Sequence, residues 1–222
     1  MNIEFWVDPG CPFCWATARW VVDEVQPHRD IDITWRPISL LFKNEPAPGT
    51  SWHDGLAFTH RLLRVMESVR TTDGNDGVFR LYWELGARIH HDDETRFDPA
   101  DALAAVGLDV SHAAAFDDES WDAVIRVSMD EALALVGDDV GTPIIAFENA
   151  DGVKAGYFGP VISRIPTTEK SVAMWDALVT MADVDSFFEL KRTRTDSPDP
   201  GDRPTLADAS AHAPSTFALQ SG

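Results

Sequence analysis

The 222-residue sequence predicts an α/β fold: a β-α-β half, an all-helical stretch, then a β-β-α half that completes one sheet. Three observations point to it. Apolar residues cluster or alternate in short runs near both ends, they recur at three- and four-residue steps in between, and Gly, Pro, Asn and Asp punctuate each change of period.

Residues 3–7, rich in β-branched and aromatic side chains and closed by Asp8-Pro9-Gly10, read as a buried strand and its turn. Trp15, Ala18, Val21, Val22 and Val25 then repeat at helical spacing until Pro27, so residues 14–25 form a helix with Cys11 at its N-terminus. In 31–38, Ile31, Ile33 and Trp35 alternate with Asp32, Thr34 and Arg36, a half-buried strand lying beside the first. Two prolines and a glycine between Asn44 and Gly49 mark the change to helical periodicity, with helices expected at 57–69, 77–89, 99–106 and 119–136 and turn chemistry at Thr72-Asp73-Gly74-Asn75, His91-Asp92-Asp93 and Asp117-Asp118. Strands return at 142–147 and 153–158, joined by Asn149-Ala150-Asp151-Gly152 as a hairpin. A capped apolar stripe over 167–181, through Val172, Trp175, Leu178 and Val179, is the closing helix. From Thr193 onward Pro, Asp, Ser, Thr and Ala dominate. The expected organisation is therefore 1–43 for the first half, 44–136 for an α-helical insertion, 137–192 for the second half and 193–222 for a disordered tail.

Lys and Arg number 18 against 37 Asp and Glu, a formal charge of -19 that repels phosphate backbones and anionic membranes. Nucleic acid and membrane surfaces are excluded as expected partners, and the acidity itself is accounted for by solubility. No apolar run approaches the roughly 18 residues of a membrane span, and the start lacks the basic and apolar regions of a signal peptide, so the expected location is cytoplasmic. A homodimer is left open.

The two cysteines stand three positions apart, too close to staple distant segments, so their use is local. At a helix start, free N–H groups and the positive dipole end favour a thiolate, making Cys11 the expected nucleophile, while Cys14, one turn on and facing inward, would resolve a mixed disulfide. Zinc is the competing use, but it needs two more ligands, and His28, His53, His60, His90, His91, His112 and His212 show no chelating pattern with the pair; no metal is expected. Inert structural cysteines are a third reading. Thr142-Pro143, ahead of a buried strand, is the second element: a cis bond there would present a backbone edge to an extended thiol substrate. A trans proline opening an edge strand is the alternative. A strand before the Cys pair, a helix after it and a later Thr-Pro favour the redox reading over the other two.

The run Trp6-Val7-Asp8-Pro9-Gly10-Cys11-Pro12-Phe13-Cys14-Trp15, followed by Thr17-Ala18-Arg19-Trp20, resembles the DsbA-like, mycothiol-dependent oxidoreductases of actinobacteria, which include a nitroreductase. The likeness continues, in order, through Gly86-Ala87-Arg88-Ile89-His90, residues 137–143, 158–166 and 187–195, so it extends over about residues 3–196. It implies a thioredoxin fold with an inserted all-α-helical domain, an attacking Cys11, a resolving Cys14, a cis bond before Pro143, and mycothiol as electron donor. By the same resemblance Pro12, Phe13, Thr142 and Pro143 flank the substrate, and Asn44 and His90 fall where the family has pocket residues. For His90, a helix-end histidine favoured by the dipole is the competing explanation. The family member that reduces nitroaromatic prodrugs carries Trp where this chain has Phe13, at the position where a flat substrate would stack.

The function expected is a mycothiol-dependent thiol–disulfide oxidoreductase that passes two electrons to a disulfide or a small electrophile such as a nitroaromatic. The alternatives are a DsbA-type oxidant of protein thiols, a thiol-cofactor-dependent isomerase, and a non-catalytic peptide-binding module whose insertion forms the groove.

Overall fold

A computed structural model describes residues 1–148 and 152–210. Its strands and helices are β1 (Asn2–Val7), α1 (Pro12–Arg19), β2 (Asp32–Pro37), α2 (Leu40–Asn44), α3 (Ser51–His90), α4 (Pro99–Ala105), α5 (Asp122–Val136), β3 (Ile144–Glu148), β4 (Lys154–Phe158), α6 (Thr168–Ala182) and α7 (Leu206–Ser210). The sheet order is β2-β1-β3-β4, with β1 and β2 parallel and the other two pairings antiparallel. The parallel pair is bridged by α1, and the hairpin closes the far edge.

Period-two alternation sorts the strand residues between two faces. Ile3, Phe5, Val7, Ile33, Trp35, Ile145 and Phe147 join the larger apolar cluster with α1, α3 and α6, whereas Trp6, Ile144 and Ala146 face Met129 and Ala132 of α5. Phe5 lies opposite Trp35 in the register, their rings stacked at 5.3 Å, and Trp35 continues onto Phe79 of α3. The helices between β2 and β3 therefore share the sheet's core instead of building one of their own, and the boundary expected at residue 43/44 falls inside α2.

The expected break at Thr72-Asp73-Gly74-Asn75 is a kink within α3, not a loop. Gly74 takes φ 61 and ψ -153, which a residue with a Cβ adopts only under strain. The kink brings Asn75 to the free edge of β2, where its Oδ1 accepts from Trp35 N at 2.9 Å and its Nδ2 donates to Ile33 O at 2.7 Å. Arg70 also donates to Trp35 O, so the edge strand's open backbone groups are met by side chains.

The first helix is α-helical only to Arg19 and continues as a π turn over Trp20–Val25. A 3-10 segment at Val110–Asp117 adds a piece not expected from periodicity.

The tail is corrected. Residues 193–210 do not trail away: Arg19 donates to Asp202 O at 2.9 Å, Arg203 pairs with Asp92 at 2.8 Å, and Ala209 of α7 is buried. Composition missed this because the anchors are mostly backbone carbonyls gripped by arginines. Residues 211–222, and Asn149, Ala150 and Asp151 of the expected hairpin turn, lie outside the described residues.

Candidate active site

Cys11 is the N-cap of α1, and Pro12, exposed, is the first helical residue, where a missing N–H costs nothing. Cys11 Sγ accepts from Cys14 N at 3.4 Å and its thiol hydrogen points to Thr142 O at 3.7 Å, so the sulfur lies between the helix start and the loop entering β3. The Thr142–Pro143 bond is cis, as is Gly159–Pro160. Gly159 N donates to Pro143 O, and Thr17 of α1 donates to Pro160 O at 2.7 Å, tying both proline loops to the redox helix.

Both cysteines are free thiols. Cys11 keeps 8% of its surface, whereas Cys14 has none; the Cys14 thiol donates to Trp6 O at 3.7 Å and Tyr82 OH donates to Cys14 Sγ at 3.9 Å.

One expectation is overturned here. The amide at the helix start does reach Cys11, but burial outweighs it and pushes the Cys11 thiol up from its ordinary value. Thr142 and the amides of Cys14 and Phe13 pull it down, and the charge of Asp8 pushes it up again. Thr142 Oγ1, buried and without a hydrogen-bond partner among the described residues, is in reach of a thiolate there. Cys14 is driven well above the usual thiol range by burial first and then by the charge of Cys11.

Asp8, read from sequence only as a turn residue, is fully buried against the motif. Its carboxylate accepts from Gly10 N at 2.8 Å and Leu40 N at 2.8 Å and from Thr59, yet burial prevails and raises its pKa to about 6. It joins the redox loop to α2 and α3.

Trp15 follows Cys14 into the core. It packs on Tyr82, Trp83 and His90, and its Nε1 donates to His91 Nε2 at 3.0 Å, which requires that nitrogen to be unprotonated. Gly86 of α3 is necessary here, because a Cβ would sit 2.3 Å from Trp15 Cε3.

The remaining expected site residues divide. His90 is brought to the motif, though not to the sulfurs: its Nε2 donates to Pro9 O at 2.8 Å, and burial lowers its pKa to about 4. The dipole explanation, which raises a helix-end histidine, is not what governs it. Phe13 is half-buried, with Arg194 Cζ over its ring at 5.2 Å. Asn44, at the exposed end of α2, makes no hydrogen bond or ion pair with the motif among the described residues. Asp8, Tyr82 and Arg194 escaped sequence reasoning. The signal for Asp8 was a carboxylate set directly after an uninterrupted buried strand and three positions before the first cysteine; for Arg194 it was the run Lys191-Arg192-Thr193-Arg194 in an acidic chain.

Among the described residues no group of three or more His, Cys, Asp or Glu could hold a metal ion, and no helix is long and apolar enough to cross a membrane.

The family model described as Rv2466c-like, mycothiol-dependent nitroreductase Rv2466c, matches residues 10–192. A relative, the uncharacterized protein Rv2286c of Mycobacterium tuberculosis, is 28% identical over 202 residues, covering 87% of this chain and 83% of its own. Among solved structures, the cytosolic disulfide reductase DsbM of Pseudomonas aeruginosa superimposes with TM-score 0.55 at 13% identity, over 82% of this chain and all of DsbM. A protein described as a probable DsbA oxidoreductase, SCO1869 of Streptomyces coelicolor, gives 0.52 at 18% identity, over 87% and 94% of the two chains. The fold is thus the DsbA-like thioredoxin fold with helices inserted between its halves.

Proposed function

The chain belongs to the Rv2466c-like family of mycothiol-dependent nitroreductases, and on that premise we propose that Cys11 and Cys14 are its working dithiol, that mycothiol reduces it, and that a disulfide or small electrophile is the acceptor. It is a thiol–disulfide oxidoreductase. The observation carrying the proposal is the position of Cys11 Sγ, between the Cys14 amide and the Thr142 carbonyl, with Cys14 sealed behind it.

In the proposed cycle the Cys11 thiol loses its proton and the thiolate attacks one acceptor sulfur, forming a mixed disulfide and expelling one acceptor thiolate. Cys14, deprotonated in turn, attacks Cys11 Sγ and expels the second, so the acceptor gains two electrons and the protein holds a Cys11–Cys14 disulfide. Two mycothiol molecules restore the dithiol: the first opens the bond at Cys11 and the second displaces it as mycothiol disulfide. A nitro acceptor would take the same two electrons with two protons, leaving as a nitroso compound and water.

Burial protects the pair from stray oxidants, because the thiolate and not the thiol is the reactive form. It also sets a pH dependence: with Cys11 held above its ordinary value, the attack rate on a disulfide should still be rising at the alkaline end of the physiological range.

The test is Cys11→Ser. It should abolish mycothiol-dependent turnover while leaving the fold intact; retained turnover would overturn the assignment. The reduction potential discriminates direction, since a reductant lies near about -270 mV and a DsbA-type oxidant near about -120 mV.

A further inference from the structure

We infer that Arg194 is a specificity residue of the redox site, selecting acceptors that carry an anionic oxygen group beside the sulfur under attack. The inference rests on the dithiol reading above and deepens it.

In a chain with twice as many acidic as basic residues, three cations fall within four positions, Lys191, Arg192 and Arg194, and the segment carrying them crosses the redox motif. Arg194 stands over Phe13, which with Pro12 separates the two cysteines. The fold holds it there from both sides. Upstream, Tyr157 OH donates to Phe187 O at 3.2 Å; downstream, Asp199 N donates to Ser163 O at 2.6 Å and Arg19 grips Asp202 O at 2.9 Å.

Other arginines at the strap are engaged by carboxylates: Arg203 pairs with Asp92 at 2.8 Å, and Arg164, from the loop before α6, reaches Asp196 of the strap at 3.0 Å. Arg194 has no carboxylate partner among the described residues, and its exposed guanidinium keeps its N–H donors for solvent or ligand. A guanidinium presents parallel donors that match a carboxylate or a nitro group, and a positive site on an otherwise acidic chain concentrates anions locally. With Phe13 in the Cys-Pro-Phe-Cys motif beside Cys11 and Arg194 over its ring at 5.2 Å, an acceptor whose sulfur reaches Cys11 and whose substituent lies along Phe13 would bring that substituent to the guanidinium. The ligand class is therefore an aromatic disulfide bearing a carboxylate, its ring against Phe13 and its oxygens toward Arg194.

The experiment follows thiolate release when pre-reduced protein is mixed with excess dithiobis(nitrobenzoate), a dianionic aromatic disulfide, or dithiodipyridine, a neutral one. The chemistry is the two-step exchange already written, so no further reductant enters. Arg194→Ala should slow the anionic acceptor roughly fivefold and Arg194→Glu more, while the neutral acceptor changes by less than about twofold. Arg194→Lys should retain part of the preference. In the unaltered protein the anionic preference should shrink as salt is raised, a measurement that needs no variant. Equal slowing of both acceptors would show that Arg194 acts only by holding Phe13, and no slowing of either would show that it is a bystander; both outcomes overturn the inference. Loss of the dithiol reading is separately visible, as a Cys11→Ser protein that still reacts with both acceptors.

Discussion

The two sides of the α1 start are built from different material. Behind the motif, Cys14, Asp8, Trp15 and Tyr82 are shut off from solvent and locked by contacts to β1, α2 and α3. In front of it lie Pro12, Phe13 and Arg194, exposed or half-exposed, held by a strap that arrives from the far end of the chain. In the proposed cycle the rear would store electrons and handle protons where water cannot compete, so small changes there have large energies. The front would meet the acceptor in high dielectric, where a charge shifts rates by a few fold and leaves stability alone.

Removing the rear sulfur is the most direct way to break this division. With Cys14→Ser, single turnover of pre-reduced protein against a disulfide should release one thiolate equivalent where the unaltered protein releases two, and mass spectrometry should find the other half of the acceptor on Cys11. Release of two equivalents would mean that the buried sulfur is not the resolver.

Acid titration sharpens the contrast next. Asp8 is raised from 3.8 to about 6, so the native state holds a proton that the unfolded chain has released; that contribution, about 3 kcal/mol, is fully present below 3.8 and lost as pH rises through about 6. His90 is lowered from 6.5 to about 4, so its contribution, also about 3 kcal/mol, is fully present above 6.5 and lost as pH falls towards about 4. Between about 4 and 6 these two contributions oppose each other, while His60 and His91, also lowered by burial, add to the loss of stability on acidification that urea unfolding would read. In His90→Gln, which keeps a donor for Pro9 O, acidification across that window should cost less stability than it does in the unaltered protein. The same loss in both proteins would mean that His90 titrates as an ordinary histidine.

Gly86→Ala probes packing alone. The added methyl group meets the Trp15 ring, and the forced shift should cost about 1–3 kcal/mol in unfolding free energy. An unchanged midpoint would show that the rear wall yields more readily than its contacts suggest. At the front, the roughly fivefold acceptor effect assigned to Arg194 is the smallest of the set.

Much of the rear wall's backbone was legible in the chain. The run from Ile3 to Val7, the turn at Asp8-Pro9-Gly10 and the stripe after Cys14 each follow a local period, and Gly74 marked a real change of direction. Pro143 was legible for the same reason, since its place before a buried strand is local. Less legible were roles set by distant partners. Tyr82 lies one helix turn from residues of the same apolar stripe, and nothing local shows that its hydroxyl reaches Cys14, 68 positions earlier. The strap after Thr193 looked unanchored because Arg19 holds it at a carbonyl 183 residues away, and backbone carbonyls leave no mark in composition.

By itself, then, the sequence determined the α/β halves, the helices between them and the dithiol at a helix start, because each depends on periodicity and turn chemistry within a dozen residues. Only the tertiary structure decided how that dithiol behaves. The helix start favours a thiolate, but the depth at which the sheet, α3 and the Thr142 loop bury Cys11 reverses the balance, and burial is a sum over neighbours from the whole chain.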